Sequence, residues 1–515
     1  MHRVHLAAAL AASVLLASCS GGGSGKQFTN VVPPAGNPGT LAPAQKLTIA
    51  GIGDSLTAGT QSGGTMGADL PVLGVNPQLG QIGPVQRTQE HGFFALLWEQ
   101  ANGVDITTMS DPAKSPLPLL TPPGVGGLLA PTATHIFPAP VSNVCDAKQI
   151  PANSFSTALS LRENPATNPW DVGIPGITMH EALYMTGAIG DCTVTPADAA
   201  AQFVALNALV NGESQNFWPI LAGFGQGVTM VDAAVSLHAQ VATVYLGSND
   251  LLKFAFSGGL APVTAPQSIH DDVKAIILKL QGAGSKVAVA NLVDVMGAAT
   301  FIPQPAYQPT LQAYISGVLQ APPNNLPAPV ANAVATQYST AYAAQETAQL
   351  SLGANGYFTI NALFKTLQTA AAQLPVQAPP VAPTLSGGDF IAGAIADNVK
   401  ALNLAYSQQI TAAAGETNVA LVDTYALFKT VEAAGGVPVN PPKCCSLAYR
   451  GGFFSLDGLH PSNTGYAILA NEFIDALNAK YSLGIPDVNV GAVYAMDPYA
   501  PGNGVSGFSV DRLAK

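Results

Sequence analysis

Short apolar runs rich in β-branched residues alternate with amphipathic stretches along this chain, and that alternation is the pattern of a parallel sheet flanked by helices. Residues 47–52, 241–246, 286–292 and 419–423 read as strands. Residues 92–101, 230–238, 273–280, 395–413 and 463–481 read as helices. Strand and helix units repeated at this length predict an α/β layered domain over residues 47–482. Two stretches break the repeat. Residues 60–165 are rich in Pro and Gly and predict long loops over the sheet. Residues 303–388 join Ala-rich helical pieces by Pro-rich segments such as 377–383, which predicts a helical insertion or cap. Structureless connections beyond about 15 residues usually serve as lids, binding loops or linkers, so both are expected near a functional site. Residues 483–515 lack strong periodicity and form a C-terminal extension.

Charge narrows the partners. Only 10% of the 515 residues are charged while 48% are hydrophobic, so the surface must lean on Gly, Ser, Thr, Asn, Gln and Pro. A net charge of −11 with no basic run argues against a phosphate-binding groove and hence against nucleic acid as partner. Gly25-Lys26 does not extend to a phosphate loop, since no glycine stands five residues before Gly25 and Gln27 replaces the Ser/Thr.

The first 18 residues carry one positive charge at Arg3 and an apolar run over 6–16, the form of an export signal too short to span a bilayer. Leu16-Ala17-Ser18-Cys19 resembles a bacterial lipobox. That resemblance implies cleavage before Cys19, lipidation of Cys19, and residence at the cell envelope as a membrane-anchored lipoprotein. Residues 19–46 then read as a flexible Gly/Ser- and Pro-rich tether. Four further cysteines remain: Cys145, Cys192, Cys444 and Cys445. An even number in an exported protein favours disulfides. Cys145 with Cys192 and an adjacent Cys444–Cys445 bridge is the preferred pairing; adjacent bridges are strained, which keeps crossed pairings open. Metal binding is not expected, because neither Cys-x-x-Cys nor paired histidines accompany them.

Ser55 lies in Gly51-Ile52-Gly53-Asp54-Ser55-Leu56-Thr57-Ala58-Gly59, directly after the first predicted strand. In α/β sheets, ligands meet the protein at the carboxyl ends of strands. A serine there can attack a carbonyl, but an unassisted hydroxyl is a poor nucleophile, and alone it would be ordinary turn chemistry. Asp457-Gly458-Leu459-His460-Pro461, ahead of the last helix, offers the missing base. With the acid three residues before the imidazole, one turn can bring the carboxylate to one ring nitrogen while the other faces the serine. His91, His180, His238 and His270 lack such a setting.

These residues resemble the GDSL, or SGNH, family of serine esterases and lipases. Gly53-Asp54-Ser55-Leu56 is identical to the family's first block, Gly247-Ser248-Asn249-Asp250 matches its third, Gly-x-Asn-Asp, and Asp457 to His460 its fifth. Gly176, in Val172-Gly173-Ile174-Pro175-Gly176-Ile177-Thr178, matches the second block, although Asp171 stands where an asparagine is usual. The resemblance implies a three-layer α/β/α, flavodoxin-like fold with large loop and helical insertions. It implies Ser55 as nucleophile, His460 as base then acid, and Asp457 as the orienting carboxylate. The oxyanion hole would comprise the N–H groups of Ser55 and Gly176 and the Asn249 amide. No metal or cofactor is required. The expected activity is hydrolysis of a carboxylic ester, of a lipid or an acylated glycan, through an acyl-enzyme. An acyltransferase with the same triad, or a non-catalytic surface protein with the same fold, are the alternatives. The 402 residues from Ser55 to Asp457 exceed the family's compact members, and the two insertions supply much of the excess.

Overall fold

Ile49–Gly53 (β1), Val241–Tyr245 (β2), Lys286–Ala290 (β3) and Ala420–Val422 (β4) form a parallel sheet in the order β1-β2-β3-β4. Every residue of β1 and β2 is buried, as a strand covered on both faces requires. The computed structural model describes residues 46–62, 64–65, 67, 86–120, 125–126, 162–164, 166–185, 220–224, 228–320, 324–353, 355–374, 379–437 and 445–501. Cys19, Cys145, Cys192 and Cys444 lie outside them. Cys445 is buried and disulfide-bonded, to a partner outside the described residues.

A fifth extended segment lies on the free edge of β1. Gly51 N donates to Trp170 O at 2.8 Å, Val172 N to Gly51 O at 2.9 Å, and Ile174 N to Gly53 O at 2.9 Å, with Asp171 bridging Gly51 in parallel. Residues 170–174 thus run beside β1 and deliver the loop that follows to the same end of the sheet.

The helices that cover the sheet follow from capping and apolar spacing. Phe93–Asn102 (α1) packs against Asn463–Tyr481 on one face, where Phe93 and Phe473 stack 4.6 Å apart and Tyr245 meets Phe93 edge-on. On the other face lie Met230–Ser236 (α2), Pro266–Gly282 and Gly393–Thr417. Thr229 and Ser462 accept N–H bonds from Asp232 and Gly465, capping the helices they precede. Helix 266–282 begins earlier than residues 273–280 alone suggested. Pro266 occupies its first turn, and Ile269 extends the buried series Val273, Ile276, Ile277 and Leu280, whereas polar residues around Ile269 mask the period. The architecture is therefore a mixed α/β fold with a parallel central sheet between helical layers.

Between β3 and β4 the chain builds a cap. Phe301–Pro303, Tyr357–Thr359 and Phe390–Ile391 form a small antiparallel sheet, with helices Gln304–Gln320, Ala328–Gln349 and Ile360–Gln373 packed on it. It has its own core, in which Tyr307 stacks on Phe358 at 3.9 Å beside Leu311, Ile315, Tyr342 and Leu363. After helix 463–481 the chain returns over the helix start, where Asp497 accepts from Thr464 N at 2.8 Å and Thr464 Oγ1 at 2.6 Å. Among the described residues, no helix is long and apolar enough to cross a membrane.

Candidate active site

The turn after β1 is shaped by close approach. A Cβ on Gly53 would stand 1.9 Å from Thr57 Oγ1 and 2.8 Å from Tyr245 O, so no other residue fits without displacing the turn. Asp54, 1% exposed, accepts from Leu56 N at 3.0 Å and caps that turn from within. Ser55 follows, partly exposed at the carboxyl end of the sheet.

Its partners arrive from the far end of the chain. His460 Nε2 lies 2.8 Å from Ser55 Oγ, and His460 Nδ1 lies 2.7 Å from Asp457 Oδ2. The turn that makes this possible is held by Asp457 Oδ1, which accepts from the N–H groups of Leu459 and His460, each at 2.9 Å. Gly458 sits at φ +65° inside it, a conformation that favours glycine. The two distant loops are also tied directly. Ser62 N donates to Ser455 Oγ at 2.8 Å, Leu456 N to Ser62 Oγ at 3.2 Å, and Tyr466 Oη to Thr60 O at 2.7 Å.

Asn249 joins the remaining segments. Gly247, at φ +110°, ends the loop after β2 and starts helix Ser248–Phe256 (α3), whose first turn carries Asn249 and Asp250. The Asn249 amide donates to Asp54 Oδ2 at 3.3 Å and to Ile177 O at 3.0 Å, while Asp250 Oδ2 accepts from Met179 N at 3.0 Å. Ile174-Pro175-Gly176-Ile177 folds as a tight turn closed by Ile177 N to Ile174 O at 3.3 Å, with Gly176 at φ +89°. Proline second and a left-handed glycine third is the type II pattern, which leaves the central N–H pointing outward. Among the described residues, the N–H groups of Ser55 and Gly176 have no hydrogen-bond acceptor. The Asn249 amide, by contrast, has both hydrogens engaged.

The buried carboxyls divide by their surroundings. For Asp457, burial pushes toward the neutral form, but the His460 charge and hydrogen bond and the two N–H donors outweigh it and hold the carboxyl below its ordinary range. Burial raises Asp54 to about 7 against the opposing Leu56 N–H and His460 charge, and raises Asp250 to about 6. Asp171, also buried, is raised well above its ordinary value despite the Gly173 N–H it accepts at 2.9 Å. Asp457 is thus the carboxylate that stays ionised beside the imidazole. Such a chain of groups can move a proton from a hydroxyl to the imidazole and stabilise the resulting cation.

The cleft beside Ser55 and His460 is walled mainly by hydrocarbon, from Leu56, Leu252, Val293, Val295, Phe428, Phe454 and Leu469. A wider groove on the cap, lined by Gln304, Gln308, Thr347 and Ser351, carries none of these groups. His180 and His270 pair with acids elsewhere, with Asp272 and with Asp271 and Glu416. Among the described residues, no cluster of three or more His, Cys, Asp or Glu is arranged to hold a metal ion. Tyr245 and Ser248 also face the cleft; the motif spacing flagged neither, since a strand tyrosine and the variable position of Gly-x-Asn-Asp carry no chemical signature.

Residues 170–473, more than half of the chain, match the family of GDSL-like lipases and acylhydrolases, and the chain belongs to that family. The match begins after Ser55, but β1, which carries that serine's turn, pairs with β2 inside the matched stretch from Ile49 with Val241 to Gly53 with Tyr245. No curated protein and no solved structure matches the chain. Membership supports binding and hydrolysis of esters in general terms.

Proposed function

We propose that this protein is a serine esterase that cleaves carboxylic esters through an acyl-enzyme on Ser55. One observation carries the reading: the unbroken hydrogen-bond chain from Ser55 Oγ through His460 to Asp457. Ser55 Oγ attacks the ester carbonyl carbon as its proton passes to His460 Nε2, and the imidazolium returns that proton to the departing alkoxide. Water then repeats the sequence, its proton going to His460 and its oxygen to the acyl carbon, which frees the acid and Ser55. Negative charge on the carbonyl oxygen meets the unpaired N–H groups of Ser55 and Gly176. Asn249 joins them when one amide hydrogen swings from Asp54 or Ile177; removing one such donor typically costs about 10²–10³ in rate. Neither a metal nor an organic cofactor enters these steps.

Cys19, in its lipobox-like setting, supports placing the enzyme on a bacterial membrane through a lipid, where ester-bearing lipids or acylated glycans are within reach. The nucleophile is tested with a fluorophosphonate probe: wild type takes the label and turns over a 4-nitrophenyl ester, and Ser55→Ala does neither. Labelling that survives in Ser55→Ala would overturn the assignment. For the anchor, Cys19→Ser should move the protein from the membrane fraction to the aqueous phase, and unchanged partition would refute it.

A further inference from the structure

A second hydrogen-bonded path runs beside the one from Ser55 to Asp457. Thr60 N donates to Ser55 O at 2.9 Å, and two residues further on Ser62 N donates to Ser455 Oγ at 2.8 Å. The Ser455 hydroxyl in turn faces two acceptors, His460 O at 3.0 Å and Asp457 Oδ1 at 3.3 Å. Ser62 reciprocates through its own hydroxyl, which accepts from Leu456 N at 3.2 Å. Ser62, Ser455, Asp457 and His460 are all buried, so these bonds are made away from bulk water and hold their geometry more firmly than surface ones.

Backbone bonds alone already shape the turn that carries the acid and the base. Ser455 N donates to His460 O at 2.8 Å, and Gly458 N donates to Ser455 O at 3.0 Å. Those bonds fix the turn internally, but they do not set where it stands relative to Ser55, 405 residues away in sequence from His460. The Ser455 hydroxyl does, because at that oxygen the nucleophile's loop meets both the Asp457 carboxylate and the carbonyl of the base. Ser455 does not line the cleft, so its influence on the reaction passes through His460 and Asp457.

We propose that Ser455 is a positioning residue of the proton relay: its hydroxyl joins the loop of Ser55 to the turn of Asp457 and His460, and so sets the distance between Ser55 Oγ and His460 Nε2. The inference rests on the reading of Ser55, His460 and Asp457 as the relay and adds the residue that holds its halves in register. Reaction rates are steep in such distances, since a misplacement of about 1 Å can cost about 10²-fold.

The test measures kcat and KM for 4-nitrophenyl butyrate, well below the melting point, in the full chain as wild type, Ser455→Ala and Ser62→Ala. Ser62→Ala stands for a clasp that is only structural. It loses the acceptor of Leu456 N, but the Ser62 backbone N–H and every bond of Ser455 remain. Each variant leaves one buried N–H without its side-chain acceptor, so both thermal midpoints should fall. Turnover should separate them: kcat about ten- to a hundredfold below wild type in Ser455→Ala with KM within about threefold, and a kcat loss of at most about threefold in Ser62→Ala. Equal kcat losses in the two variants, a kcat retained in Ser455→Ala, or a loss that falls on KM would each overturn the proposal. If Ser455→Ala does not fold, Ser455→Cys fills the site with a weaker hydrogen-bonding sulfur and should show the same split; an unchanged kcat there overturns the proposal equally. Fluorophosphonate labelling of the same preparations separates the two levels. A labelled wild type whose turnover ignores Ser455 sinks the positioning role alone, whereas an unlabelled, inert wild type sinks the nucleophile and this proposal with it.

Discussion

Asp457 divides its two oxygens between two tasks, and an amide at the same place would keep one and reverse the other. Oδ1 holds the turn by accepting from Leu459 N and His460 N, while Oδ2 faces His460 Nδ1. In Asp457→Asn the amide oxygen can retain the turn, but the NH₂ then faces Nδ1 and forces it to be an acceptor. The ring proton moves to Nε2, which can no longer take the Ser55 proton. The expected result is a fall in kcat of about 10³–10⁴ with little change in fold, read by steady-state kinetics beside a circular dichroism melt. A loss below tenfold would mean the carboxylate does not set the tautomer. The wild-type carboxyl also sets an acid limit. Because its folded value is depressed, its contribution to stability is present above about pH 4 and is lost as pH falls through that lower folded value.

At the scale of elements, the parallel strands were legible because each is a run of apolar residues bounded by turns: the observed β2, β3 and β4 fall inside the expected segments, and β1 runs one residue past its expected end, to Gly53. The edge segment 170–174 was not legible. It contains Asp171 and Gly173, and its pairing with β1 exists only through three backbone hydrogen bonds to residues over a hundred positions away. The small strands of the cap, two or three residues each, are too short to show a period. Within the site, Ser55, Asp457, His460, Gly176 and Asn249 could be picked out by motif, but the Asn249 bond to Asp54 could not, since Asp-Ser in a turn says nothing of what the carboxyl faces. The cap's interior hides a further polar group. Glu346 is fully buried, bonded to Thr366 through Oε1, with Oε2 unpartnered. Burial raises it from 4.5 to about 7. A raised folded value means the stabilising, protonated state is complete below about pH 4.5 and is lost as pH rises through 7. Glu346→Gln removes that titration. Its stability relative to wild type should therefore rise between pH 5 and pH 8, by on the order of 1–3 kcal/mol in denaturant melts. A difference that is flat with pH would show that Glu346 does not titrate there.

For the whole molecule, the cap and the turn that carries Asp457 and His460 share a seam. Thr300 N, at the cap's stem, donates to Gly458 O at 2.8 Å, and Ile360 N at the start of a cap helix donates to Thr300 O at 2.9 Å. Gly458 has no room for a side chain there, as a Cβ would stand 2.8 Å from Thr300 N. On the same side, Tyr449 Oη donates to Leu456 O at 3.0 Å, and its ring meets Phe364 of the cap edge-on at 6.2 Å. Phe364, Ile360, Leu456 and Tyr499 form one small cluster that includes the residue just before Asp457. The cap therefore abuts the base of the proton relay, although the cap core itself lies elsewhere. Phe364→Ala tests whether that contact matters to the reaction. Removing a buried phenylalanine should cost about 3–5 kcal/mol of stability. If the cap positions the Asp457 turn, kcat measured well below the melting point should also fall, by roughly tenfold for a shift of a few tenths of an ångström in the imidazole, with KM much less affected. A variant that melts earlier but keeps its kcat would make the cap a passenger on the catalytic turn, and its influence on substrates would then have to act through the cleft.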